Sequence, residues 1–178
     1  MFRKKTEAPP KEEVYDVDLE HGVVTKKADG SRVFTMDSRG WATVEHELAS
    51  TFITGAAVIL QRVGYAYGRA IGRTFRREEG ETEDAVGVIQ AIARESGWGQ
   101  LILNSGDLYG GQAKIVVRGC FFCLHAREAT ESVCHVLVGL VNGLSDELIG
   151  GTHRTVEEKC VAKGDPVCEI LVERVGSD

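Results

Sequence analysis

Gly64, Gly68 and Gly72 recur every four residues inside a stretch that otherwise reads as helix. Side chains four apart lie on one helix face, so the three glycines form a stripe with no side chains on it. Glycine in a helix interior costs about 1 kcal/mol against alanine. A stripe that carries this cost at every turn implies close approach of a second helix, either within the chain or across a dimer. Around it Val44, Leu48, Phe52, Ala56, Ile59, Leu60, Val63 and Tyr67 recur with a period of about 3.6 residues, which extends the helical reading over residues 43–76.

The remaining elements follow from shorter signals. Val23 and Val24, the turn residues Asp29 and Gly30, and then Val33, Phe34 and Met36 predict a β-hairpin. Residues 82–95 predict a second helix, with Thr82 as N-cap and Gly97 as the stop. Strands are expected over 100–103 and 114–125. A long helix is expected over 131–148, where Val133, Val136, Leu137, Leu140, Val141, Leu144 and Leu148 share one face before Gly150-Gly151. The chain closes on a predicted hairpin, with strands 155–162 and 166–175 joined by Lys163-Gly164-Asp165. Residues 1–13 are polar and proline-bearing and are expected to form a disordered tail, followed by a hairpin-and-helix region over 14–99 and a separate unit over 100–175.

A chain of 178 residues can bury roughly two-thirds of its unfolded surface without disulfides or metals. Its net charge of -6 leaves no electrostatic footprint for nucleic acid. The basic run Arg69, Arg73, Arg76 and Arg77 reverses at once into Glu78, Glu79, Glu81, Glu83 and Asp84, which reads as a solvated helix end. No apolar run reaches the roughly 20 residues that span a bilayer, and the first ten residues lack a signal-peptide core. A cytoplasmic location is therefore expected. Five cysteines in that compartment point to reduced thiols or a metal.

Cys160 and Cys168 flank the predicted terminal turn and fall opposite each other if it centres on Gly164. Cβ atoms of opposed residues lie about 4.5–5.5 Å apart, close enough for two thiolates to share one zinc. Cys134 begins the long helix, where the positive helix end favours its thiolate. Glu157 precedes Cys160 by three residues, so the two face opposite ways in an ideal strand. A shared metal then needs Glu157 at a bulge or strand entry; Glu158 has the right parity and is the alternative ligand. Four anionic ligands make a closed, structural zinc site. Buried free cysteines are the competing reading. Cys120 and Cys123 fall in a predicted strand, on opposite faces, and are read as core residues. Cys120→Ser is accordingly expected to leave the metal content unchanged.

The run 133–140, containing Cys134, together with 157–168, containing Glu157, Cys160 and Cys168, resembles the 4-vinyl reductase domain family. That family includes the aromatic-sensing regions of phenol- and xylene-responsive activators. Its fold is similar to TRAPP tethering subunits and haem-based nitric oxide sensors. The resemblance implies an α+β fold, an antiparallel sheet flanked by helices with a ligand cavity between them. It also implies a zinc held by Cys134, Glu157, Cys160 and Cys168, and favours Glu157 over Glu158. Paired N-terminal helices in the family imply a homodimer with Gly64, Gly68 and Gly72 at the interface. The histidine that anchors a phenol hydroxyl has no counterpart, because no histidine lies between His46 and His125.

Three functions follow as expectations. The first is a sensor-type module that binds a small apolar or aromatic molecule and signals to a protein effector. Its candidate lining residues are Trp98, Tyr109, Phe121, Phe122, Val138 and Ile170. The second is a tetrapyrrole-related reductase or accessory protein. No G-x-G-x-x-G follows a strand and no Ser-His-Asp set can be placed, so an enzyme is the lesser expectation. The third is a TRAPP-like scaffold or tethering subunit.

Overall fold

The computed structural model describes residues 14–27, 29–52, 54–75, 84–126 and 128–176. The expected tail (1–13), the Thr82 cap and the turn residue Ala28 lie outside them. The described chain divides into two compact units, which meet in sequence between Met36 and Asp37.

The first unit is a small antiparallel sheet of β1 (Tyr15–Asp18), β2 (Val23–Lys26) and β3 (Arg32–Val33). The expected hairpin is β2–β3, with Val24 opposite Val33. The strand ahead of it pairs on the other edge, Val17 against Val24.

The second unit opens with two helices where the periodicity predicts one. α1 (Ser38–Thr51) starts at Asp37, whose carboxylate accepts from the Arg39 and Gly40 N–H groups. It stops at Phe52, which leaves the helical region at φ -118°. α2 (Ala56–Phe75) then carries the glycine stripe. α3 (Ala85–Glu95) is capped by Asp84, whose carboxylate accepts from Gly87 N–H. The main sheet is antiparallel in the order β4-β5-β7-β6, formed by β4 (Gln100–Asp107), β5 (Gln112–Arg118), β6 (Thr152–Lys159) and β7 (Cys168–Gly176). α4 (His135–Leu148) connects its two halves. It begins four residues later than predicted, with Cys134 at the N-cap.

Alternation decides the faces of this sheet. In β5, Ala113, Ile115 and Val117 are buried, and their partners Val172, Ile170 and Cys168 on β7 are buried with them. On the other face Lys114, Arg154, Glu158, Lys159, Glu169 and Glu173 form cross-strand ion pairs. One apolar and one charged face is the pattern of an antiparallel sheet covered on one side by helices. The fold is α+β, as expected.

The glycine stripe finds its partner inside the chain. A Cβ at Gly64 would overlap the carbonyl oxygen of Val136, and one at Gly68 that of Leu140. At Gly72 it would lie 2.9 Å from Glu147 Cβ. The fit is reciprocal: a Cβ at Gly139 or Gly143 of α4 would overlap the carbonyls of Gln61 and Tyr65. The surface of Gly64, Gly68 and Gly72 is thus taken up by α4 and is not open to a second subunit. At the far end of the crossing, buried Glu147 accepts from Arg69 Nε at 2.9 Å and Arg73 Nε at 3.4 Å. No described helix is long and apolar enough to cross a membrane.

Candidate metal centre and apolar crevice

β5 ends at Arg118, well before the predicted residue 125, because Gly119 turns the chain with φ +62°. The turn that follows is tied to the core by Phe121 N–H donating to Trp98 O at 3.1 Å. Phe122 anchors it further, edge-on to Trp41 with ring centroids 5.8 Å apart. In a strand Cys120 and Cys123 would diverge. In the turn that replaces the strand, closed by Leu124 N–H donating to Phe121 O at 3.4 Å, both thiols are buried. The core-residue reading thus missed their neighbours: they join the other three cysteines.

Cys120 Sγ lies 3.5 Å from Cys134 Sγ, and Cys123 Sγ lies 3.5 Å from Cys168 Sγ. Cys134 Sγ is 3.9 Å from Cys168 Sγ and 4.0 Å from Cys160 Sγ. Cys134, Cys160 and Cys168 are fully buried. Two four-residue donor sets result, Cys134/Glu157/Cys160/Cys168 and Cys120/Cys123/Cys134/Cys168, each with all its donor atoms within 4.8 Å of one another. Sulfurs bound at about 2.3 Å to a tetrahedral ion stand about 3.8 Å apart, so the sulfur spacings of 3.5, 3.9 and 4.0 Å lie close to a metal's coordination edges.

Glu157 reaches the cluster by the irregularity that its spacing requires. The β6–β7 register shifts between Glu157, opposite Ile170, and Lys159, opposite Glu169. The extra residue is Glu158, which turns to the charged face and pairs with Lys114. Glu157 Oε2 accepts from Cys134 N–H at 3.0 Å, and its Oε1 is buried with no hydrogen-bond partner. An unpartnered buried carboxylate oxygen among thiols fits a metal ligand. Cys160 N–H donates to Asp165 Oδ2 at 2.8 Å and Val161 N–H to Cys168 Sγ at 3.4 Å, which shapes the loop between the strands.

The electrostatics fit a cluster of acids crowded out of water. Burial, with Cys160 beside it, pushes Glu157 up to about 8. Hydrogen bonds from Cys123 and Cys134 bring Cys160 down to about 6. Cys120 leads the donors that bring Cys168 down to about 5. The opposite shift falls on Cys134, whose pKa is raised by its four cysteine neighbours, and on Cys123, pushed up to about 12 chiefly by Cys120.

Glu45 of α1 adds a carboxyl near this cluster. Burial raises it from 4.5 to about 7, with smaller contributions from Cys123 and Cys160, and its Oε1 has no hydrogen-bond partner. A carboxyl whose folded pKa is raised favours the fold fully below its unfolded value and loses that contribution as pH rises through the folded value. Glu45→Gln cannot ionise. Its melting temperature relative to the wild type should therefore climb between pH 4.5 and pH 7, as a pH series of thermal melts would read. A constant difference across that window would contradict a half-buried, protonatable Glu45.

An apolar crevice opens on the β4–β5 side of the sheet's covered face. Val86, Ile89 and Gln90 of α3 border it opposite Leu101, Leu103, Leu108 and Ile115. Its enclosed space is about 10 Å³, room for one water. None of the six residues expected to line a ligand cavity borders it. Val138 and Ile170 are core residues, and Trp98 and Phe122 are buried within the same core. Phe121 packs edge-on to Phe122, and the Tyr109 hydroxyl accepts from Ala85 N–H at 3.1 Å. The space expected between α4 and the sheet is occupied: Leu137, Leu140 and Leu144 are fully buried in one cluster with Ile170 and Val172.

A solved structure with a phenol-responsive sensory domain, that of the transcription activator PoxR with phenol, superposes on this chain with a TM-score of 0.73. The alignment covers 90% of this chain and 85% of that one at 19% identity. The chain shares the fold of that domain. A vinyl-4-reductase family protein from Methanocaldococcus jannaschii has the same fold, with a TM-score of 0.57 and 15% identity over 80% of this chain and 84% of that one. So does a trafficking protein particle complex subunit 3 from Naegleria fowleri, covalently bound to palmitic acid, with a TM-score of 0.63 and 12% identity over 79% and 95%. The expected family resemblance therefore holds at the level of the fold. In sequence, an uncharacterized protein from Methanocaldococcus jannaschii (MJ0150) is 24% identical over 114 residues, 64% of this chain. The match spans 65% of that relative's length, just under two thirds. No family model matches the chain.

Proposed function

We propose that this chain is a sensor-type module that binds a small, largely apolar molecule, uses a structural zinc to hold its sheet to α4, and passes the bound state to a protein partner. The observation that carries the reading is the fold shared with the PoxR sensory domain over nine-tenths of the chain. Cys134, Glu157, Cys160 and Cys168 would hold the zinc. When bound, the ion supplies cross-linking between the start of α4 and the β6–β7 loop. Four protein ligands leave no position at which water could be activated, which favours binding over catalysis.

The crevice under α3 is the proposed ligand site. Seven residues border it, and Gln90 alone among them is polar, in keeping with apolar pockets that carry few polar anchors. Its present volume is too small for an aromatic ring, so binding must lift α3 from β4 and β5. A ligand drives that shift only by its preference for the lifted arrangement. This makes α3 the element that reports occupancy to a partner. Screening aromatic and isoprenoid-like molecules should find one that raises the melting temperature by an amount that grows with concentration. Leu103→Trp should abolish that shift by filling the crevice. Stabilisation that survives Leu103→Trp would place the ligand elsewhere.

The filled α4–sheet interface and the likeness to a trafficking-complex subunit favour one second reading, a scaffold or tethering subunit. It predicts a stable complex with another protein and no ligand-dependent stabilisation. A homodimer is retained in the proposal, on a different face. Ile59, Val63 and Tyr67 recur every four residues on α2 and are exposed, the latter two by 55% each. They form an apolar stripe of the kind that marks protein interfaces.

A further inference from the structure

The proposed zinc site uses three of five converging cysteines and leaves Cys120 and Cys123 without a role. Their position is not that of bystanders. Each thiol sits 3.5 Å from a sulfur of the zinc set, Cys120 from Cys134 and Cys123 from Cys168. Those two partners are the residues that the two donor sets have in common. The six donors thus fall into two four-donor sets that share Cys134 and Cys168, whose sulfurs are 3.9 Å apart.

We infer that the cluster is a binuclear metal centre, in which Cys134 and Cys168 bridge two zinc-like ions, Cys120 and Cys123 complete the first, and Cys160 and Glu157 complete the second. This deepens the zinc reading above and rests on it. The ions proposed are divalent and thiophilic, zinc being one of the metals that tetrahedral thiolate sites take.

Charge accounting supports the second ion. One zinc with three thiolates and a carboxylate leaves a buried net charge of about -2, from the charges of the ligands and ion. A second divalent ion displaces the protons of Cys120 and Cys123 to solvent. Two positive charges enter and two thiol protons leave, so the net charge stays at about -2. The cluster therefore gains four metal–sulfur bonds, two of them to sulfurs already present as bridges, without adding buried charge. The backbone is fixed to match. Gly119 turns the chain with φ +62°, and a Cβ at Gly99 would lie 2.9 Å from Arg118 O, so the loop bearing both thiols is packed tightly against the segment before β4. The register that pairs Val117 with Cys168 sets the end of β5 beside the start of β7. The competing role for Cys120 and Cys123 is to donate S–H hydrogen bonds to the sulfurs of a single-ion site, and it predicts a different metal count.

The test is uptake of cadmium by the full chain after chelation under reducing conditions, counted by native mass spectrometry and resolved by cadmium NMR. Wild-type protein should take up about two ions per chain and show two cadmium signals, one from four sulfurs and one from three sulfurs and an oxygen. The double variant Cys120→Ser/Cys123→Ser should hold about one ion and keep the mixed-ligand signal. Glu157→Gln/Cys160→Ser should also hold about one and keep the all-sulfur signal. If either variant does not fold, the wild-type signals decide alone. A single ion and a single signal in the wild type overturn the binuclear centre and leave the single zinc site standing. No uptake at all overturns both.

Discussion

Cys168→Ser should strip the chain of its metal and lower its stability by about 3–5 kcal/mol, the range for a buried charge cluster that loses one partner. For a chain of this length that is a fall in melting temperature of roughly 6–20 °C. Cys168 is one of the two sulfurs that both donor sets share. It is fully buried, belongs to both donor sets, and sits 3.5 Å from Cys123 and 3.9 Å from Cys134. Its backbone pairs with Val117, so the damage would reach β5 as well as the β6–β7 loop. Elemental analysis and thermal melts of the purified variant read both effects. Full metal content together with a wild-type melting temperature would refute the metal centre. Glu158→Gln is the control. Glu158 stands one residue from Glu157 but faces Lys114, and an exposed pair of this kind is worth about 1 kcal/mol at most.

Gly68→Leu should unfold the protein or destabilise it by about 3 kcal/mol or more, the upper part of the range for overpacking. The obstacle at Gly68 is the backbone of Leu140, not a side chain that could rotate away. Relief would require α2 and α4 to separate along their whole crossing, where Gly64, Gly72, Gly139 and Gly143 also make close contacts. Ala66→Leu on the exposed side of the same helix should change stability by less than about 0.5 kcal/mol. Val63→Arg, in the outward apolar stripe, should leave the fold intact and give a monomer by light scattering. A Gly68→Leu protein that stays folded but dissociates would restore the glycine stripe to a dimer interface.

Much of this architecture was written in local sequence. A glycine every fourth residue specifies a bare helix face whatever lies beyond it, because helical geometry alone puts those positions in line. The ligand spacing around Glu157 was legible as a requirement: three residues from Cys160 in a strand only works with a bulge, and the bulge is there.

Tertiary structure decided which elements meet. Nothing near Gly64, Gly68 and Gly72 says that Gly139 and Gly143 will interlock with them more than 60 residues later. Cys120 and Cys123 are core residues as expected, but they were expected in a strand because Cys120 to Leu124 resumes the apolar pattern of Ile115 to Val117 after Arg118 and Gly119. The end is set by Gly119, whose backbone freedom lets the chain turn where the sheet's last partner, Cys168, runs out. The crevice lies under α3 and not under α4 because α4 is held against the sheet by large side chains, whereas α3 meets Leu101, Leu103 and Ile115 across a gap. Period and turn chemistry act between near neighbours and can be read residue by residue. Shared sulfurs, interlocking glycines and an unfilled crevice depend on distances between segments far apart in sequence, and those exist only once the β5–β7 register and the α2–α4 crossing are made.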